Sequence, residues 1–225
     1  MAPRLIVALD SLRGDTLKIR ELVGKLCGVA AGFKIGWPNI VWGGRGVVEA
    51  AHDTCPEALQ IADLKLADIS YVMRETLTPI IKWVDAVIAH AFIGTEGALR
   101  DLKRWLEGEA KRLILVASMS HEGSREVIDP CIDRILDVVR RVKPWGVVAP
   151  ATRPDMVRVI RERLGRGVVI LAPGVGAQGA RPGDALRAGA DYEIVGRMIA
   201  LSRDPVAEAE KVAMMQEEAL RGSPR

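Results

Sequence analysis

Eight short runs of β-branched and apolar residues recur along the chain with helix-compatible segments between them, and this alternation restricts the fold more than any other feature. The runs cover residues 5–9, 32–35, 59–64, 86–90, 113–117, 146–149, 168–171 and 193–195. The segments between them are 17–26, 41–51, 73–83, 96–106, 132–142, 155–164 and a short 183–188, and a last helix over 205–220 follows the eighth run. Several runs are apolar on both faces, as strands of a parallel sheet must be when helices cover the outside. Eight such units within 225 residues predict an α/β fold of the (β/α)₈ TIM-barrel type, with residues 1–225 as a single domain. The rival is a doubly wound open sheet, which for a dinucleotide site needs Gly-x-Gly-x-x-Gly after the first strand. The chain instead reads Asp10-Ser11-Leu12-Arg13-Gly14 there.

Barrels of this type carry their chemistry at the carboxyl ends of the strands, and the polar residues of this chain fall at those ends. The first run stops at Asp10, the second carries Lys34, the third holds Asp63 and Lys65, and the fourth stops at His90. The fifth leads into Ser118-Met119-Ser120-His121, the sixth into Pro150-Ala151-Thr152-Arg153 and the eighth into Gly196-Arg197. The densest group is Asp63-Leu64-Lys65-Leu66-Ala67-Asp68. Alternation along a strand puts Asp63 and Lys65 on one face and Leu64 and Leu66 on the other. Asp68, past the strand end, reaches that place only from a loop, and the place it reaches could belong to a second subunit. An ion pair at a strand terminus is the plainer reading of the hexapeptide, and the ring of polar strand ends argues against it. His90 and His121 read as hydrogen-bonded histidines near the mouth rather than as catalysts.

The seventh run leads into Pro173-Gly174-Val175-Gly176-Ala177-Gln178-Gly179, whose glycines allow backbone amides to approach an anion. With Gly196-Arg197 beside it, this is a phosphate site, because the loops after strands seven and eight are where barrels commonly hold phosphate. A lysine between two carboxylates keeps its ammonium form, which suits a proton donor and opposes imine formation. A fixed carboxylate next to a cationic acid suits a substrate that loses CO₂. Asp63 would disfavour the substrate carboxylate, while Lys65 would stabilise and protonate the carbanion.

Composition narrows the partners. A net charge of +3 comes from dispersed Lys and Arg without a basic tract or interleaved aromatics, so a small anionic ligand is expected and a nucleic acid is not. No apolar run approaches the ~18 residues of a membrane span, so no membrane partner is expected. The chain enters its first strand without a signal-like segment, which gives a cytoplasmic expectation. Cys27, Cys55 and Cys131 are odd in number and scattered. They predict buried small hydrophobes, without a disulfide framework and without a zinc site or other metal. Asn39 is the sole asparagine, and glutamine is confined to Gln60, Gln178 and Gln216, a depletion of amides reported in thermophiles.

Taken together and in order, Leu9-Asp10, Lys34-Ile35-Gly36, Asp63-Leu64-Lys65-Leu66-Ala67-Asp68-Ile69, Met119-Ser120-His121, Thr152-Arg153-Pro154, the Pro173 to Gly179 loop and Val195-Gly196-Arg197 resemble the orotidine 5′-phosphate decarboxylases, in particular their short prokaryotic and archaeal form. The resemblance implies cofactor-free, metal-free conversion of orotidine 5′-phosphate to uridine 5′-phosphate in a homodimer with its active site at the interface. It implies that Lys65 is the proton donor, that Asp63 faces the substrate carboxylate and that Asp68 serves the partner's site. It assigns Asp10 and Lys34 to the ribose, Ser120 to the pyrimidine, and Gln178 to the link between base and phosphate. Arg197 becomes the phosphate clamp, with Pro173, Gly174, Val175, Gly176 and Gly196 around the ligand, and Thr152 and Arg153 help to hold the strand-seven loop closed. The chain departs from the family at Val72, where a ribose-contacting Thr is usual, and at Glu122, where Pro is frequent. Two other functions compete. Magnesium-dependent sugar-phosphate decarboxylases and aldolases of the superfamily share Asp-x-Lys-x-x-Asp, but carry an acidic metal ligand where Lys34 stands. A non-catalytic uridylate-binding protein would have no use for the charged array.

Overall fold

The computed structural model describes residues 3–222. Eight parallel strands close on themselves in sequence order: β1 (Leu5–Ala8), β2 (Gly32–Gly36), β3 (Leu59–Leu66), β4 (Ala86–His90), β5 (Arg112–Val116), β6 (Gly146–Val148), β7 (Val169–Val175) and β8 (Tyr192–Val195). Outside them lie α1 (Thr16–Leu26), α2 (Trp37–Gly43), α3 (Gly46–Thr54), α4 (Ser70–Leu77), α5 (Arg100–Gly108), α6 (Ile132–Val142), α7 (Pro154–Leu164), α8 (Asp184–Arg187), α9 (Arg197–Ala200) and α10 (Pro205–Arg221). The eight-unit barrel expected from the alternation is present.

Strand pleating divides the core in two. Ile6, Ala8, Ile61, Ala86, Ile88, Ile114, Val116, Val148, Leu171 and Ile194 fill the inside of the barrel. Their neighbours one residue away, such as Leu5, Val7, Ala62, Val87, Leu113 and Leu115, pack under the helices. The inward series along β1, β2 and β3 therefore passes from apolar residues at the bottom to Asp10, Lys34 and Asp63 at the mouth. The helices follow local rules. α1 starts at Asp15, whose side chain accepts from Lys18 N, and buries Ile19, Leu22, Val23 and Leu26 at helical spacing. α10 starts at Asp204, whose side chain accepts from Ala207 N, with Pro205 at its first position.

Three expected helices are shorter or broken. Residues 41–51 form no single helix, because the chain turns at Gly44, with φ 61°, between α2 and α3. The 73–83 segment ends its α-helix at Leu77 and re-forms only a 3₁₀ turn at Ile81–Trp83. Residues 96–106 begin irregularly, with Glu96 extended and Gly97 at φ 68°, before α5. β7 runs on to Val175, past the expected 171, and carries Pro173 and Gly174 into the sheet through a register shift.

The cysteine expectation is corrected. Cys27 and Cys55 form a disulfide, their Cα atoms 5.7 Å apart, and Cys131 is exposed. Cys27 closes α1 and Cys55 closes α3. These helices are side by side on the barrel, so their ends meet although 28 residues separate them in sequence. No helix of the described residues is long and apolar enough to cross a membrane.

Candidate active site

At the carboxyl end of the barrel, four side chains from β2, β3 and the turn just after β1 form one continuous line of charge. Lys34 Nζ is 2.7 Å from Asp10 Oδ2 and 2.9 Å from Asp63 Oδ2. Lys65 Nζ donates to both oxygens of Asp63, at 2.8 and 2.7 Å. Asp10 is fixed in turn by Gly36 N, which donates to its Oδ1 at 2.9 Å. This approach requires glycine, since a Cβ at position 36 would stand 2.5 Å from that oxygen.

Burial grades the line. Lys34 and Asp63 are 6% and 7% exposed, whereas the Lys65 side chain retains 40% of its surface. Burial would deprotonate Lys34, but the Asp63 and Asp10 carboxylates outweigh it and push its pKa up to about 12. Burial likewise pushes the Asp63 carboxyl up, and the Lys34 and Lys65 ammonium groups outweigh it, leaving the carboxyl below its ordinary value. The central pair is thus fully ionised at neutral pH, with the more accessible ammonium at its open end. His90, at the end of β4, is held below the usual histidine value, first by burial and then by the Lys65 charge, with Asp63 partly offsetting them. It is a neutral imidazole at neutral pH, its ring centroid 4.7 Å from that of Phe92 and tilted 37° to it.

Asp63 and Lys65 do meet as alternation implies, but not by regular pleating. The β3–β4 register shifts between Ala62 and Leu66, and Lys65 has φ 44°. A non-glycine residue in that region is strained, and such strain is concentrated at functional sites.

A cavity of about 760 Å³ opens above this line. Of the residues expected to bind, Asp10, Lys34, Asp63, Lys65, Ser120, Pro173, Gly174, Val175, Gln178, Gly196 and Arg197 all line it. Gly176 does not, and it serves another purpose: at φ 76° a Cβ there would lie 2.6 Å from Met198 Sδ, so glycine lets the loop pass that side chain. Asp68 is not brought to Lys65 of its own chain. It is exposed, and its Oδ1 accepts from Ile69 N at 2.7 Å. Thr152 and Arg153 are bonded to the loop after β5 rather than to the loop after β7. Thr152 Oγ1 donates to Ser120 O at 3.3 Å, and Arg153 donates to Met119 O and pairs with Asp129.

Two features escaped sequence reasoning. One is the double pairing of Lys34, which its position on the inward face of β2 signals only once the barrel is closed. The other is the cluster Ser118, Ser124, Asp129 and Arg153, for which the sequence carries no spacing signal. Among the described residues, the one group of three metal-type ligands is Cys27, Cys55 and Glu57. Its sulfurs are joined to each other, and it precedes β2 and β3, at the opposite end of the barrel from the mouth.

Comparisons with known proteins agree with this architecture. Residues 3–212 match the family model described as orotidine 5′-phosphate decarboxylase / HUMPS. The orotidine 5′-phosphate decarboxylase of Aeropyrum pernix is 54% identical over 213 residues, 93% of this chain and 87% of that protein. That of Thermococcus kodakarensis is 39% identical over 93% of this chain and 94% of its own. Among solved structures, the orotidine 5′-monophosphate decarboxylase of Metallosphaera sedula superposes with a TM-score of 0.85 at 40% identity, covering 96% of this chain and 99% of that one. The Methanocaldococcus jannaschii enzyme, complexed with inhibitor BMP, superposes with a TM-score of 0.87 at 30% identity, over 96% and 99%. With strand order, mouth geometry and full-length similarity in agreement, the chain belongs to the orotidine 5′-phosphate decarboxylase / HUMPS family.

Proposed function

We propose that this protein decarboxylates orotidine 5′-phosphate to uridine 5′-phosphate in pyrimidine biosynthesis, as a cytoplasmic homodimer, using Lys65 as proton donor. The observation that carries this reading is the ionised line Asp10–Lys34–Asp63–Lys65 beside the glycine loop and Arg197. Bound with its phosphate at Gln178 and Arg197 and its ribose at Asp10 and Lys34, the nucleotide brings its carboxylate toward Asp63. Two like charges then face each other in a site of restricted solvent. The bond from ring carbon to carboxylate breaks, CO₂ leaves, and the electron pair stays on the ring carbon. The Lys65 ammonium stabilises that charge and transfers a proton to the same carbon, and the lysine regains its proton from water.

Electrostatics support the donor role. Lys65 contacts Asp63 through both oxygens and faces the cavity, so its Nζ is held in place by a fixed partner at the open end of the line. Asp68 belongs in this reading to the partner's site. It stands away from its own Lys65, and the exposed Ile69 and Tyr71 that follow it give the start of α4 an apolar surface suited to a second subunit. Val72 has no hydroxyl with which to meet the ribose.

Activity of chelator-treated protein tests the reading against the sugar-phosphate enzymes of the same superfamily. Orotidine 5′-phosphate should be converted with stoichiometric CO₂ release, at a rate unchanged by Mg²⁺. Activity lost on chelation and restored by Mg²⁺, or found only with sugar phosphates, would overturn it.

A further inference from the structure

The loop that carries Ser120 is held by a single carboxylate that does not itself line the cavity. Asp129 Oδ1 accepts from Ser118 Oγ at 2.7 Å and from Ser124 Oγ at 2.9 Å, while its Oδ2 is paired with Arg153 Nη1. Each hydroxyl has one proton, so giving it to Asp129 leaves each oxygen facing its other neighbour as an acceptor. Ser124 Oγ accepts from Met119 N at 3.2 Å, and Ser118 Oγ accepts from Arg153 Nη2 at 3.0 Å. The same Arg153 nitrogen donates to Met119 O. Met119 is therefore gripped at both its N–H and its carbonyl, and the next carbonyl, that of Ser120, accepts from Thr152.

We propose that Asp129 is a positioning residue that sets where Ser120 stands over the substrate, acting through Ser124, Ser118 and Arg153. The inference rests on the reading that Ser120 meets the pyrimidine. Three observations carry it. The Asp129 and Arg153 side chains are 12% and 15% exposed, so the pair is shielded from water. Every bond in the set ends on the two residues that lead to Ser120 or on one another. Ser120 and Met119 line the cavity, whereas Asp129 does not. Burial pushes the Asp129 carboxyl up, but the hydrogen bonds from Ser118, Arg153 and Ser124 outweigh it, so the acceptor is ionised at neutral pH. A carboxylate is required, because whichever way an amide at 129 turned, its NH₂ would face either Arg153 or the two hydroxyls.

The test is a double-mutant cycle in kcat/KM for orotidine 5′-phosphate, using wild type, Asp129→Asn, Ser120→Ala and the double variant. Asp129→Asn alone should lower kcat/KM by about tenfold, the scale of a lost charged hydrogen-bond network. In the Ser120→Ala background it should lower it by less than about twofold, because the side chain it positions is gone. If Ser120→Ala is impaired but Asp129→Asn multiplies onto it in full, this inference is overturned and the functional reading stands. If Ser120→Ala keeps wild-type kcat/KM, the inference falls together with the assignment of Ser120 to the pyrimidine, while decarboxylation of orotidine 5′-phosphate stands. Should Asp129→Asn fail to fold by circular dichroism, Ser124→Ala replaces it in the cycle under the same criterion, since it removes the acceptor of Met119 N with the loss of one oxygen.

Discussion

At the residue scale, the site depends on keeping four charges together, the central two buried and the outer two, Asp10 and Lys65, partly open to solvent. Lys34 contributes most to holding them, since among the described residues it is the one cation touching both Asp10 and Asp63. Its pKa is raised above the unfolded value of 10.5 to about 12. A raised lysine pKa means that its stabilisation is complete below 10.5 and fades as pH rises through about 12. The shift corresponds to roughly 2 kcal/mol. Denaturant melts of wild type and Lys34→Met across that interval should converge as pH rises, and a gap independent of pH would contradict the pairing. Asp63 behaves oppositely: its depressed pKa gives stability that is present at neutral pH and is lost as acid protonates it. Arg197→Ala should reduce kcat/KM for orotidine 5′-phosphate severely but change it much less for orotidine lacking the phosphate, because remote binding energy supports the chemical step. Equal losses on both substrates would refute the phosphate assignment. The charged and polar strand-end residues that line this cavity were legible in the sequence, because strand alternation and barrel polarity send such side chains there, whereas apolar lining residues such as Trp42 and Leu201 were not. The Asp129 cluster was not, because its members lie on irregular loops where no period applies.

At the scale of elements, apolar periodicity located all eight strands, yet helix boundaries slipped wherever backbone geometry overrode the apolar pattern. The turn at Gly44 and the irregular start at Glu96 and Gly97 are such places. The disulfide between the ends of α1 and α3 was illegible for a different reason, since only the packing of two helices around the barrel brings Cys27 to Cys55. Closing a loop over a separation of 28 residues restricts the unfolded chain. The chain-entropy model assigns a loop of that length roughly 3–4 kcal/mol. Cys27→Ser, or full reduction of wild type, should lower the melting temperature by several degrees while leaving kcat/KM unchanged, since the bond lies at the far end of the barrel. Melting unaffected by reductant would show that the bond contributes nothing.

At the scale of the whole molecule, one chain supplies every proposed catalytic group except the acid at position 68, which does not line its own cavity. Lys65→Ala and Asp68→Ala homodimers should each be nearly inactive. In a mixed twofold dimer of these variants, one site lacks both groups and the other has both. Random reassociation makes about half of the dimers mixed, so about a quarter of all sites should recover. A reassociated mixture as inactive as its parents, with mixed dimers demonstrated, would place Asp68 within its own site or outside the chemistry. The central claim, that Lys65 delivers a proton to a carbanion formed from orotidine 5′-phosphate, is tested most directly by comparing the kcat of wild type and Lys65→Ala on that substrate. Wild type should release one CO₂ per uridine 5′-phosphate formed. Lys65→Ala should lose on the order of 10²–10⁴-fold in kcat, the range for a positioned general acid. Absence of conversion by wild type, or a Lys65→Ala variant as fast as wild type, would contradict the account.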